Sequence, residues 1–236
     1  MMKDIENHDS TTLLVCDYPP DIKAEFIKKV YSILTMQLLF TCSLCVWFIS
    51  DHQVTTYILN SPELNIIAII TSILSLISLH CCFSKHHPIN IILLVVFTLS
   101  MSYEIGYICV LLNHMGKGYI ILQTLGITTT IFIALISYVS ISKQDFEFLS
   151  AYLYISLIAL VLFSFIFVFV PISHALNLIL GFIGTMIFSG FILYDTSQVI
   201  HKFGPDDYVE GTIQLYLDFI NLFFSILKVM QNTDVN

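Results

Sequence analysis

Two aspartates, Asp195 and Asp218, lie inside apolar stretches that are long enough to cross a bilayer. Asp195 ends the apolar run that starts near residue 172, and Asp218 falls in the middle of the next run, from about residue 211 to 230. A carboxylate at membrane depth is costly, so it normally faces the interior of a helix bundle or a water-filled cavity. Because only a short polar connector separates the two runs, we expect the two acids to face each other.

Such a pair of acids would have a distinct chemistry. Two carboxylates in a site of low dielectric constant cannot easily both ionise, so they would share one proton. With the proton the pair is a hydrogen-bonded latch, and without it the two groups repel and leave a doubly negative site. Carboxylate oxygens are hard ligands that suit Ca²⁺. Asp195 and Asp218 are therefore a candidate pH gate and Ca²⁺ site, although the spacing alone leaves open that Asp218 only hydrogen-bonds within the bundle.

The composition places these acids in a membrane protein. Apolar residues make up 57% of the 236 residues, charged residues only 11%, and the mean hydropathy is +0.87, whereas a soluble domain has about 25% charged residues. At about 20 residues per span, the chain has room for six or seven membrane helices and for little else. We expect an all-α polytopic membrane protein with a polar cytosolic tail over residues 1–25, a helical bundle over 26–230 and a short tail over 231–236.

The apolar runs predict six spans before the Asp218 segment, at about residues 30–49, 64–83, 89–112, 119–141, 148–170 and 172–195, the last of them ending at Asp195 or a little beyond. Asp21 is the expected N-cap of the helix that leads into the first span. Small residues in the sixth span, Gly181 and Gly184 among them, would allow close helix approach. The Asp218 segment carries a polar stripe on one face, which leaves open whether it crosses as a seventh span or re-enters.

The lysines predict the orientation of the chain. Seven of the nine fall on one side of the predicted spans, either before the first span or in the second, fourth and sixth connectors: Lys3, Lys23, Lys28, Lys29, Lys85, Lys143 and Lys202. The positive-inside rule then makes the N-terminus cytosolic. The chain has no arginine and no clustered basic surface, which argues against a nucleic-acid partner.

Several sequence motifs resemble one family. The segment 190–227, GFILYDTSQVIHKFGPDDYVEGTIQLYLDFINLFFSIL, closely resembles the C-terminal signature of the transmembrane Bax inhibitor motif, or lifeguard, family. FIKKVYSILTMQLL, HHPINIILLVVFTLS and SKQDF also match, so the likeness runs from about residue 23 to 230. Within the family the chain is most similar to the Golgi anti-apoptotic protein subgroup, which has cellular and viral members.

The resemblance implies a fold, an activity and a set of residues. The fold would be a compact bundle in which six helices surround the last one. The activity would be a Ca²⁺ leak from an intracellular store in the Golgi membrane or endoplasmic reticulum membrane, which protects against apoptosis. The family's acid pair falls on Asp195 and Asp218, and an acidic pair in the connector falls on Asp206 and Asp207. The implied partners are the bilayer, Ca²⁺ as permeant or bound ion, further copies of the chain, and apoptosis regulators or Ca²⁺ channels, with no other cofactor.

The sequence also departs from its relatives. Some of them close the acid pair with a basic residue in the second span, but this span has no lysine or arginine, and His80 is its nearest titratable group. The subgroup places an acid where Met101 stands here, and Glu104 follows one turn later, either as a replacement in the ion pathway or as a hydrogen-bonding group. Asn221, one turn after Asp218, is a further pathway candidate.

Two other functional classes are alternatives to a channel. A membrane interaction protein could suppress apoptosis by binding death-pathway or channel proteins without conducting ions, with the acids in a structural role. A membrane-embedded enzyme such as a protease would need a second catalytic group near the acids on the cytosolic side, and the sequence offers none. It also shows no nucleophile, base and oxyanion set and no phosphate-binding loop. We therefore expect a protein that is not an enzyme.

Overall fold

A computed structural model describes residues 19–83, 86–142, 144–170 and 173–234. Residues 1–18 of the predicted tail, together with Lys85 and Lys143 of the orientation argument, lie outside the described residues.

The described residues form eight α-helices. Seven of them are long and apolar enough to cross a membrane, and the short second helix is the exception. A π-helical turn at Leu79–Phe83 extends the third helix, and a 3₁₀ turn at Glu147–Leu149 precedes the sixth. The all-α polytopic fold is thus confirmed. The helices are α1 (Pro20–Ser50), α2 (His52–Asn60), α3 (Pro62–Ser78), α4 (Ile89–His114), α5 (Gly118–Ser142), α6 (Ser150–Phe169), α7 (His174–His201) and α8 (Tyr208–Thr233).

The last helix, α8, lies at the centre of the bundle. It packs against α7, α1, α5 and α4. In its apolar segment 56% of the residues are buried, against 6% to 33% in the other six long helices. Its apolar side chains, such as Leu215, Tyr216 and Leu222, have no exposed surface. The expected central position of the last helix is therefore confirmed, although only four of the six other long helices pack closely against it.

Charged contacts at the two ends of the bundle show that α8 extends from one end of the bundle to the other. Where α8 ends, Asp234 Oδ2 lies 3.2 Å from Lys117 Nζ in the connector between α4 and α5. Where it begins, Lys202 pairs with Asp145, at 4.0 Å, and with Glu147. We call these the Asp234 end and the Lys202 end. Since α8 connects one end to the other, it is a crossing helix and not a re-entrant segment.

The first helix and the connector after it differ from the sequence prediction. α1 begins at Pro20 with Pro19 as its N-cap, so Asp21 lies in the first helical turn and is not the cap. Proline at the first helical position suits a helix start, because the missing N–H would have no intrahelical partner there. The predicted loop after the first span contains α2, whose cap is Asp51; its carboxylate accepts hydrogen bonds from Gln53 N and Val54 N, at 2.8 and 3.2 Å.

The sixth span is longer than the hydropathy indicates. α7 continues to His201, so Asp195 lies within the helix and not at its end. The polar residues that follow, Thr196 and Ser197, are fully buried. Ser197 Oγ accepts a hydrogen bond from Phe146 N at 3.1 Å, so its polarity is satisfied inside the bundle. Polar residues at the end of an apolar run therefore belong to the helix here.

Two glycines bring α7 and α8 into close contact. A Cβ atom built on Gly181 would stand 2.7 Å from Val229 Cγ2, and one built on Gly184 would stand 2.6 Å from Ser225 Oγ. Neither position leaves room for a side chain without a shift of its neighbour. Small residues at helix interfaces permit such close approach in membranes, and here they fix the register of α7 against α8.

Candidate functional site

The two aspartates singled out by sequence meet inside the bundle. Asp195 on α7 and Asp218 on α8 are 7% and 5% exposed. Their carboxyl groups lie within hydrogen-bonding reach of each other. The structure thus brings together the acids that the sequence placed on consecutive spans, in the seam between the central helix and its most extensive neighbour.

The pair lies closer to the Lys202 end than to the Asp234 end. Asp195 precedes the end of α7 by six residues, and Asp218 lies ten residues into α8. With a rise of about 1.5 Å per residue, the acids lie roughly 9 to 15 Å from the helix ends that meet there. An ion or a proton that enters from the Lys202 end would therefore reach them after about two or three helical turns.

The surroundings do not neutralise the pair. Among the described residues, neither aspartate forms an ion pair with a lysine or a histidine. The titratable side chains that interact with it electrostatically are the phenols of Tyr154 on α6 and Tyr194 on α7. Asp218 Oδ2 is buried and has no hydrogen-bond donor within the described part of the chain. The pair is therefore a negative site that needs a proton or a cation.

The geometry limits what kind of metal site the pair could form. Ca²⁺ takes six to eight oxygen ligands, and two aspartates supply at most four. Over the described ranges, no group of three or more His, Cys, Asp and Glu side chains is suited to holding a metal ion. Water or backbone carbonyls would have to complete the shell, which suits a cation in transit better than one that is stored.

The structure does not bring Glu104 to the pair. Glu104 is half-buried on α4, and its Oε1 accepts a hydrogen bond from Ser72 Oγ on α3 at 2.7 Å. α8 instead presents Tyr216 toward α4 and α1, where its hydroxyl lies 2.9 Å from Thr41 Oγ1. Glu104 therefore links α3 to α4, and of its two predicted roles the hydrogen-bonding one is visible in this structure.

The other predicted residues lie along or near α8. Asp206 is exposed in the connector at the Lys202 end. Asp207 Oδ2 accepts a hydrogen bond from Gly204 N at 2.9 Å and so shapes the turn into α8. Asn221 is half-buried, one turn beyond Asp218 toward the Asp234 end. His80 lines a small cavity with Glu210 beside the start of α8.

Sequence reasoning missed two polar features of the bundle. Lys228 extends the polar stripe of α8 by one more turn beyond Ser225, and the same helical spacing would have included it. A buried network also joins three helices, since Thr41 Oγ1 lies 2.8 Å from Ser102 Oγ and 2.9 Å from the Tyr216 hydroxyl. The signal for this network was the polar residues at helical spacing within two otherwise apolar spans.

The family described as "Inhibitor of apoptosis-promoting Bax1" matches residues 23–235. The chain belongs to this Bax inhibitor, or lifeguard, family. "Protein LIFEGUARD 2" of Arabidopsis thaliana is 30% identical to the chain over 237 residues, covering 98% of this chain and 97% of the relative. "Golgi anti-apoptotic protein" of Vaccinia virus (strain Lister) is 36% identical over 213 residues, and "Protein lifeguard 4" of Mus musculus is 35% identical over 210, each covering 89% of this chain and 86% of the relative.

Membership in the Bax inhibitor family agrees with the fold. The match spans all seven long helices, including the segment that carries both aspartates. The names of the family and of the viral relative refer to the inhibition of apoptosis. The protein is therefore a multi-pass membrane protein of an anti-apoptotic family.

Proposed function

We propose that this protein is a Ca²⁺-permeable leak channel of Golgi or endoplasmic reticulum membranes, which lowers the Ca²⁺ content of the store and thereby inhibits apoptosis. The observation that carries the proposal is the buried pair Asp195 and Asp218, which has no basic partner among the described residues. A buried acid pair of this kind in a membrane bundle is more often part of an ion or proton pathway than of the scaffold. No enzymatic activity is part of the proposal.

The pair would act as a pH-sensitive gate. With one shared proton, the two carboxyl groups hold α7 and α8 together. When the pH rises and that proton leaves, the two negative charges repel, and the site gains affinity for a divalent cation. The neighbouring phenols of Tyr154 and Tyr194 are neutral at physiological pH, and Glu210, which interacts with Tyr154, adds a further negative charge at the start of α8. Flux should therefore increase with pH.

The lysine distribution supports one orientation for the gate. Lys202, Lys23, Lys28 and Lys29 all lie at the Lys202 end, so we assign this end to the cytosol. The pair would then sense cytosolic pH, and the connector acids, exposed Asp206 and half-buried Asp207, would attract cations at its mouth. The Asp234 end would face the lumen.

The first experiment is a measurement of Ca²⁺ flux through purified protein in liposomes between about pH 6 and 8. Wild type is expected to leak Ca²⁺ with a rate that rises across this range. Asp218→Asn is expected to abolish the leak or its pH response, because an amide cannot release the proton that opens the gate. Glu63→Gln, the same chemical change at an exposed position on α3, is the matched control and should behave as wild type.

Two outcomes would contradict the proposal. If folded wild type passes no Ca²⁺ at any pH, the channel function is excluded, and binding to apoptosis regulators or Ca²⁺ channels becomes the explanation to test. If Asp218→Asn conducts with an unchanged pH response, the leak exists but the acid pair is not its gate.

A further inference from the structure

Two cavities flank α8 in the half of the bundle between the acid pair and the Asp234 end. The larger, of about 600 Å³, lies among α1, α4, α5 and α8. The other is a groove of about 460 Å³ among α6, α7 and α8. The neighbouring residues Ile220 and Asn221 line different ones, Ile220 the large cavity and Asn221 the groove. An ion that has reached the acid pair could leave toward the Asp234 end only through one of these two cavities or through the α7–α8 seam.

The seam itself is closed by the glycine contacts of α7. Ser225 Oγ already occupies the space beside Gly184, and Val229 occupies the space beside Gly181. A hydrated cation cannot pass where even a methyl group would collide. The route therefore has to lie to one side of the seam.

The two cavities differ in their chemistry. The α8 residues that line the large cavity are Phe219, Ile220 and Phe223, and half of its remaining wall is aliphatic or aromatic, while its polar side chains lie on other helices. The groove is lined on α8 by Asn221, Ser225 and Lys228, which follow Asp218 at intervals of three or four residues and so share one face. A cation needs oxygen ligands or water along its path, and it is on the groove side that α8 continues from Asp218 with polar side chains.

We propose that the groove among α6, α7 and α8 is the aqueous branch that connects the acid pair to the Asp234 end, and that Lys228 restricts cation flow through it. This inference rests on the proposed channel function for its flux arm, but not for the presence of water in the groove. Lys228 is partly exposed and forms no ion pair with a described residue, so its positive charge is not cancelled locally. A positive charge in a narrow polar pathway opposes the approach of a divalent cation. The large cavity is assigned no part in conduction.

Cysteine labelling tests the water content of the groove directly. In liposomes that carry a charged, membrane-impermeant thiol reagent on both sides, Asn221→Cys should react, and Lys228→Cys, nearer the Asp234 end, should react faster. The control is built into the chain, since Cys42 and Cys45 line the large cavity as free thiols. If the large cavity takes no part in conduction and holds no continuous water, they should stay unmodified, because a thiol reacts as the thiolate, which needs water around it. Peptide mass spectrometry reads all of these positions in one sample.

The labelling pattern decides the route without any flux measurement. Reaction at residue 221 with none at Cys42 and Cys45 supports the groove. Reaction at Cys42 and Cys45 but not at 221, or equal reaction at all positions, overturns the assignment. If neither introduced cysteine reacts, the groove is filled by lipid and the inference is wrong. A failure of Asn221→Cys to fold leaves Lys228→Cys to decide by the same criteria.

Ca²⁺ flux then tests the role of Lys228. Lys228→Gln should increase the leak several-fold, because the positive charge on the pathway is gone. Lys117→Gln removes the same charge at the same end, but from the connector residue that pairs with Asp234 outside the groove, and should leave the leak unchanged. An equal increase in both variants would show a general surface-charge effect and overturn the role of Lys228. If wild type passes no Ca²⁺, the channel function fails, while the labelling result still stands.

Discussion

At the scale of single residues, the proposed gate depends on how two carboxyl groups share a proton. Asp195 and Asp218 lie in contact and are nearly fully buried, and Asp218 Oδ2 has no donor among the described residues. When the pair holds a proton, its two carboxyl groups hydrogen-bond to each other. When the pair is ionised, its charge requires water or a cation. A change of one carboxyl to an amide removes this alternation while it preserves size and shape.

We therefore expect Asp195→Asn to flatten the pH dependence of Ca²⁺ flux. Wild-type flux should rise several-fold between about pH 6 and 8, whereas flux through the variant should stay nearly constant, because one of the two titrating groups is gone. The measurement is liposome flux at several pH values. Glu104→Gln is the matched control, since that carboxyl bonds to Ser72 on the α3–α4 interface. An Asp195→Asn variant that keeps the wild-type profile would place the pH sensor elsewhere.

The acid pair could be predicted from the sequence, but the partners of other polar residues could not. An acid in an apolar span can avoid lipid only inside the bundle or in a water-filled cavity, so two acids on consecutive spans are expected to lie together. Glu104 had no such constraint, because its partner Ser72 is one of many small polar residues in the spans. The role proposed for Lys228 depends on where α6 lies, which no local pattern indicates.

At the scale of helices, the contact between α7 and α8 positions the two aspartates. Gly184→Ala should lower the stability of the protein by about 1 to 3 kcal/mol, because the new methyl group would stand where Ser225 Oγ lies. Gly126→Ala in α5 is the control, since nothing lies within 4 Å of its added methyl group, and it should be neutral or slightly stabilising. Thermal unfolding in detergent measures both. An unchanged melting temperature for Gly184→Ala would mean that α7 and α8 are not tightly packed at this position.

Hydropathy predicted the seven long helices but not all of their ends. Length and apolar content locate a span because the bilayer demands both. The end of α7 was not marked by polarity, since Thr196 and Ser197 are buried in the protein and not in water. The helix α2 was not predicted because its nine residues are too few and too mixed in polarity to give a membrane pattern. Asp51 was nevertheless a recognisable signal, since aspartate is a common N-cap residue.

At the scale of the whole molecule, seven long helices that all cross would put the start of α1 and the end of α8 on opposite sides of the membrane. An epitope tag at the N-terminus should be accessible from the cytosol in intact cells with a permeabilised plasma membrane. A tag after residue 236 should become accessible only when the intracellular membranes are also permeabilised. The measurement is antibody binding under the two conditions. Equal access to both tags from the cytosol would contradict the crossing of α8.

The overall arrangement was predicted from the family resemblance more than from residue patterns. The polar stripe of the last segment left its crossing undecided. The structure decided it through contacts between residues far apart in sequence, Asp234 with Lys117 at one end and Lys202 with Glu147 at the other. Such contacts join separate elements, so they are not encoded in any one stretch of the chain.

The position of α6 makes the bundle sensitive to the thickness of its membrane. α6 packs mainly against α7, and only 6% of its apolar segment is buried. Its 20 residues span about 30 Å, close to the hydrocarbon thickness of a bilayer, whereas bilayers along the secretory route differ by a few Å. A thicker or thinner bilayer changes the tilt of a helix held largely by lipid, and with it the width of the groove that α6 encloses. Hydrophobic mismatch is thereby expected to link the lipid composition of a compartment to the conformation of this protein.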